Sequence, residues 1–260
     1  MRNILAFAKK ELGLYFTTPL AWVMFALWTL IGSFFFLSLV SQYQQMSMIY
    51  GQFQNPQVME RMNFQDMVLL PLIVNMGVIL VFLVPFLTMR LISEERKQKT
   101  MELLLSTPVT STQIVLGKYF AAVALMFVAV ALLLVYPLTL ELGSTASAVD
   151  WPTVLSGLFG LFLLGCAFMA IGIFFSSITE SQMVASLAAL TTNLITWIVG
   201  WRAGDAEGAM KEVVTYLAST QHIVSFAKGN VDAKDLVYFL SVCVLGLFLT
   251  HRAVEAQRWA

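Results

Sequence analysis

Glu94 and Glu95 stand side by side, and Arg96 follows them. They are the one adjacent acidic pair in the chain. Successive residues on a helix point in different directions, so this pair cannot flank a scissile bond as glycosidase carboxylates do. Gly117-Lys118 has the look of a phosphate loop, but Thr112 stands where the leading glycine is needed and Tyr119 where Ser or Thr is needed. The backbone cradle for a nucleotide is therefore missing. There is no HExxH, no GxSxG and no paired-cysteine metal pattern. Cys166 and Cys243 each lie in an apolar run and read as packing residues. Residues of these types at these spacings suit ion pairing and docking rather than bond-breaking chemistry. The sequence predicts a chain with no catalytic residue, cofactor or metal of its own.

The elements that must hold these residues are set by composition. Apolar residues make up 59% of the 260 positions and charged residues 12%; the mean hydropathy is +0.81. So few charges cannot cover a water-facing surface of this size. The expected fold is all-α, a polytopic membrane protein in one domain, 1–260. About 20 apolar residues cross the hydrocarbon core, and such runs fall near 19–40, 67–89, 113–140, 152–176, 182–201 and 236–251. The last is short, so its helix is expected to begin earlier, near Asp232. Basic residues cluster on one side: ten against five if the N-terminus is inside, with 90–99 the densest stretch. That bias predicts that both termini are cytoplasmic. Fifteen basic and fifteen acidic residues cancel, so bulk charge offers nothing to nucleic acid. Ionisable groups are nearly absent from the span interiors, unlike ion-coupled transporters. Asn75 and Asn193 are the strongest polar groups there, as glue between helices or as a substrate contact.

Between the spans lie several informative segments. Ile4, Leu5, Ala8, Leu12 and Tyr15 share one helical stripe, with Lys9, Lys10 and Glu11 off it, which predicts an interfacial amphipathic helix over 1–18. The stretch RLISEERKQKTMELLLSTPVTSTQIVLGK packs charges into 90–102 and follows them with Met101, Leu103, Leu104 and Leu105. Pro108 ends that element, and Thr110 with Gln113 has capping-box spacing for the next helix. A leucine patch beside charges fits either a loop lying on the membrane or a docked protein. Ser177 and Glu180 have capping-box spacing too, in a tight turn between spans four and five. Gly157, Gly160, Gly165 and Gly172 make span four a close-packing helix, in this chain or against another. The segment 41–66 is rich in glutamine and methionine; Met46, Met48, Met59 and Met62 lack a metal-binding repeat and read as apolar packing. In 202–235, two short helices are expected, the second closed by Gly229. His222 there suits packing at an interface.

Taken in order, these features resemble the permease subunit of an ABC-2 type ABC transporter, nearest the branch of gliding-motility-associated and copper-reductase-maturation permeases. The resemblance spans the chain. It rests on the opening KELGLYFTTPLAW, on Glu94, Glu95, Arg96, Thr100, Glu102, Leu103, Leu104 and Pro108, and on Gln113, Gly117 and Lys118. The stretch HIVSFAKGNVDAKDLVYF adds His222, Phe226, Gly229 and Asp235 as an outer functional element. Lys99 stands where the family usually has glycine, and lysine's better helix propensity predicts a straighter helix there. The resemblance implies a coupling helix between spans two and three. A separate cytosolic ABC ATPase dimer, holding ATP and Mg²⁺, would dock on Glu94–Pro108, with Glu94, Glu95, Arg96 and Glu102 as ion pairs and Leu103–Leu105 as the apolar seat. It also implies a second permease copy or a paralogue, membrane lipid around the pair, and a bacterial inner-membrane location. A mechanotransmission subunit acting on an extracytoplasmic partner, and a passive channel or scaffold, are the alternatives.

Overall fold

A computed structural model describes residues 2–52, 63–101, 109–143, 149–202 and 208–257. Every regular element among them is helical. They are α1 (Arg2–Thr17), α2 (Pro19–Gln52), α3 (Leu70–Thr88), α4 (Ser93–Lys97), α5 (Ser111–Leu132), α6 (Val135–Gly143), α7 (Trp151–Ile178), α8 (Gln182–Ile198), α9 (Gly208–Leu217), α10 (Ser219–Ala227) and α11 (Ala233–Gln257). Six helical stretches are long and apolar enough to span a membrane: Pro19–Ile49, Gln65–Lys97, Ser111–Gly143, Trp151–Ile178, Gln182–Trp201 and Ala233–Gln257. The chain is a multi-pass, all-α membrane protein.

Prolines set the irregularities. A π-helical turn at Gln65–Leu69 leads into α3, where Pro71 brings no N–H to the ladder. Pro85 sits in the last turns of α3, which ends at Thr88. The third spanning stretch breaks at Leu133 and Leu134, where Pro137 cannot donate to the carbonyl four residues back.

α7 is the hub. It packs on α3, α5, α8, α10 and α11. Its glycines point to several neighbours, all within this chain. A Cβ at Gly157 would overlap Ile73 of α3, at Gly160 Phe226 of α10, at Gly165 Met126 of α5, and at Gly172 Thr88 of α3. On α11, a Cβ at Gly246 would lie 2.8 Å from the Ala170 carbonyl. α2 is held by one narrow stripe, with Ala21, Met24, Trp28 and Phe36 buried. Trp28 Nε1 donates to the Ala129 carbonyl at 2.8 Å, satisfying the indole in an apolar setting.

Two capping expectations are corrected. Thr110 does cap α5, accepting from the Gln113 amide at 3.3 Å. The reciprocal half of the box is replaced by a tertiary contact, in which Asn3 Nδ2 of α1 donates to Gln113 Oε1 at 3.3 Å. Ser177 is not an N-cap: α7 runs on to Ile178, and Ser181 accepts from the Val184 amide to start α8. The Ser177 hydroxyl donates to Phe174 O inside α7.

Candidate functional site

The residues singled out in the sequence gather at the two opposite ends of the bundle. At the first end, α1 crosses α5. Gly117 permits the crossing, because a Cβ there would lie 2.5 Å from Phe7 Cβ and 3.1 Å from the Ile4 carbonyl. The next residue, Lys118, is 1% exposed. Its ammonium lies 2.7 Å from Glu11 Oε1 and 3.0 Å from Glu95 Oε1, and Lys10 reaches the same Glu95 oxygen at 4.0 Å. One buried cation thus ties α1, α4 and α5. A charge can sit there only because carboxylates surround it.

Ile4, Ala8, Leu12 and Tyr15 of the expected stripe lie on the protein-facing side of α1. Two members are corrected: Leu5 is 70% exposed, and Glu11 is buried on that side because Lys118 meets it there. Leu14 and Phe16 face outward.

Arg90, where α3 gives way to α4, donates from Nη2 to Thr18 Oγ1 at 2.9 Å. Its guanidinium carbon lies 5.1 Å from the Tyr15 ring centre, a cation–π contact. Tyr15 donates to the Leu87 carbonyl at 2.7 Å. Burial pushes its phenol above the ordinary value and Arg90 draws it part of the way back, so Tyr15 stays neutral and a donor.

α4 is also tied to the far ends of α7 and α11. Arg96 Nη1 donates to the Ser177 carbonyl at 2.6 Å, and Gln257 Nε2 donates to the same oxygen at 3.0 Å. That carbonyl is one of the unsatisfied acceptors at a helix C-terminus, where a cation is favoured. The fully buried Ser176 accepts from the Ile92 and Ser93 amides at 3.0 and 3.1 Å and donates to Met89 O at 2.9 Å. It clamps the turn between α3 and α4.

The predicted docking residues therefore divide. Glu95 and Arg96 have partners inside the chain. Glu94 is half-buried, and its one hydrogen-bond contact among the described residues is Gln98 Nε2 at 3.4 Å. Thr100 Oγ1 donates to the Glu95 carbonyl at 3.2 Å. Lys97, Gln98 and Lys99 are exposed. Glu102, Leu103, Leu104, Leu105 and Pro108 lie outside the described residues. Lys99 does not straighten the helix. Its φ is +54°, and α4 ends before it. This is the left-handed position that commonly closes a helix and that glycine takes without a Cβ penalty.

At the other end, the structure brings His222, Phe226, Gly229 and Asp235 together. His222 Nδ1 lies 2.6 Å from Asp235 Oδ1 and its Nε2 donates to the Tyr216 carbonyl at 2.9 Å. The ring stacks on Tyr238 with centroids 4.0 Å apart. Both ring nitrogens are occupied, so neither serves as a base toward a substrate. Phe226 is fully buried over Gly160, and Ser156 donates to its carbonyl at 2.9 Å. Gly229 has φ +85° and backs onto Thr153. The His–Asp contact pins α10 to α11, which adds a buried polar tie to the packing expected of His222.

Asn193 is fully buried, and neither of its amide atoms has a partner among the described residues, so it makes no polar glue with them. Met46 and Met48 are exposed, and Met59 and Met62 fall outside the described residues. No group of three His, Cys, Asp or Glu that could hold a metal occurs among the described residues.

The Glu11–Lys118–Glu95 tie escaped sequence reading, although a signal existed. Lys118 stands well inside an otherwise apolar helix, next to a glycine, and such a lysine needs a carboxylate. Residues 5–228 match the model of a family described as ABC-2 family transporter protein. No curated protein matches the chain.

Proposed function

The chain belongs to the ABC-2 transporter family, and from that premise we propose that it is the permease subunit of an ABC transporter driven by a separate cytosolic ATPase dimer. It is a multi-pass membrane permease. In the proposal ATP and Mg²⁺ belong to the ATPase, and this chain converts the closing of that dimer into movement of its helices. The ATPase docks on the segment from Glu94 to Pro108, the coupling helix of the family resemblance, with α1 lying in the interface beside it. The charge bias supports placing this end and both termini in the cytosol, and the resemblance supports a bacterial inner membrane and the gliding-motility and copper-reductase-maturation branch. The exposed apolar faces of α2 (Trp22, Leu30, Phe34) and α8 (Leu187, Ile195) offer surface to a second copy or a paralogue.

The observation that carries the proposal is the set of ties radiating from α4. Through Lys118 it reaches α1 and α5, through Arg96 it reaches α7, and at the shared Ser177 carbonyl it meets Gln257 of α11. A push on its exposed Lys97–Lys99 end is thereby delivered to four other helices at once. This gives Glu95 and Arg96 a transmitting role and leaves Lys97, Lys99 and the segment after Met101 for contact with the ATPase.

The test is a pull-down of the tagged permease paired with measurement of ATP turnover. Reversing Lys97 and Lys99 to Glu is expected to release the ATPase. Arg96→Ala is expected to retain it but lose permease-dependent turnover. Full retention and unchanged turnover in both variants would overturn the proposal.

One observation favours a second reading, in which the complex drives an extracytoplasmic partner. α9 exposes Met210, Val213, Tyr216 and Leu217 at the end opposite α4, and a contiguous apolar face of this kind suits a protein contact. An additional protein crosslinking to Met210-substituted variants, with no cargo moved on ATP hydrolysis, would select it.

A further inference from the structure

Between α1, Thr18 just before α2, the α4 segment and Lys118 of α5 lies a cavity of about 400 Å³, within the usual range for a small-ligand site. Its charges do not close among themselves. Lys118 is consumed by Glu11 and Glu95. Among the described residues Arg90 meets neutral groups, the Thr18 hydroxyl and the Tyr15 ring. Glu94 has no cation among the described residues, and Glu95 Oε2 is buried without a partner. The wall therefore presents a guanidinium lacking an anion, and beside it the Glu94 carboxylate, whose one contact among the described residues is a long, neutral one from Gln98. A half-buried carboxylate without a cation is costly unless something supplies a charged donor to it.

The surroundings are those of a membrane surface. The cavity lies where the apolar spans begin and end. Leu14, which lines it, is 47% exposed, and Trp22 nearby is 61% exposed, its indole donating to the Phe16 carbonyl at 3.1 Å. Exposed tryptophan at a span terminus marks headgroup depth.

We infer that this cavity binds the headgroup of a phosphatidylethanolamine lipid. The phosphate faces Arg90, and the primary ammonium donates to the Glu94 carboxylate. The acyl chains leave past Leu14 along the exposed side of α2. Phosphatidylcholine has no N–H to give the Glu94 carboxylate. Phosphatidylglycerol brings a phosphate but no cation for the carboxylates. The site shares Glu94 with the proposed docking segment, but it needs only span ends at a membrane interface and stands or falls apart from the ATPase reading.

The test is native mass spectrometry of the full chain in detergent, titrated with phosphatidylethanolamine, phosphatidylcholine or phosphatidylglycerol. Phosphatidylethanolamine is expected to be retained about tenfold better than either, the size that one charge-assisted hydrogen bond carries. Glu94→Gln, whose carboxylate makes a single long contact within the chain, keeps the fold and reduces that preference; Arg90→Gln weakens retention of all three lipids. A photoactivatable phosphatidylethanolamine should crosslink to peptides from α1 or α4 in the unmodified chain, which supplies a readout even if Arg90→Gln does not fold. Equal retention of the three lipids overturns the inference, as does a preference unchanged in Glu94→Gln or crosslinks confined to other helices. Soluble glycerophosphoethanolamine displacing the lipid at equal concentration would also overturn it, since the acyl chains would then contribute nothing.

Discussion

Lys118 and Lys99 show how much one lysine's surroundings decide. Lys118 brings a charge where it is 1% exposed, which is tolerable only with two carboxylates at 2.7 and 3.0 Å. Replacing it with Met leaves Glu11 and Glu95 buried without their shared cation. A loss of about 3–5 kcal/mol is expected, measured as lowered thermal stability of the detergent-solubilised protein. Adding Glu11→Gln and Glu95→Gln to that variant should recover much of the loss, since the desolvated charges are then gone. Lys99 is the opposite case, exposed and held at φ +54°. Relief of the Cβ clash in Lys99→Gly, partly offset by glycine's greater freedom when unfolded, should stabilise by up to about 1 kcal/mol. A rise in the unfolding midpoint checks it, and a fall would mean that the strain is not there.

Among the elements, α7 has the least room to change. Its glycines meet α3, α5 and α10 so closely that even a Cβ overlaps a neighbour. At Gly172 the neighbour is Thr88, whose hydroxyl already donates to the Val84 carbonyl at 3.0 Å inside α3. Gly172→Leu is therefore expected to push α3 away from α7 and to cost at least 1–3 kcal/mol, the usual penalty for overpacking. Because Ser176, one turn later, clamps the α3–α4 turn, the variant should also expose Ile92 and Ser93 amides to hydrogen exchange. Unchanged melting and exchange would show that this face of α7 is looser than the geometry implies. The small-residue pattern of span four was legible in the sequence. Which helix each glycine met was not, because a helix that is apolar on every face has no stripe to orient it.

At the scale of the whole molecule, the two ends do different work. One end carries the ionic ties among α1, α4 and α5 and the links from Arg96 and Gln257 to Ser177; the other carries the His222–Asp235 pair that pins α10 to α11. If the end bearing α4 faces the cytosol, a cysteine at Met210 should react with a membrane-impermeant maleimide in intact cells. One at Lys97 should react only after permeabilisation. Both positions are exposed, so reactivity reports sidedness, and the reverse pattern would invert the topology and move the proposed ATPase to the other end.

Six spans, the all-helical class and the charged loop after the second span could be read directly from the chain. Each depends on runs of neighbouring residues: hydropathy over about 20 positions, and charge density over ten. The glycine closing α10 and the threonine capping α5 are equally local. What the tertiary structure alone decided is the wiring between those parts. Glu11 meets Lys118 across 107 positions of sequence, and Arg96 meets Ser177 across 81. No periodicity within one helix encodes such a pair. The low charge content of a membrane chain leaves each buried ionisable group few partners, and only folding brings the right one within 3 Å.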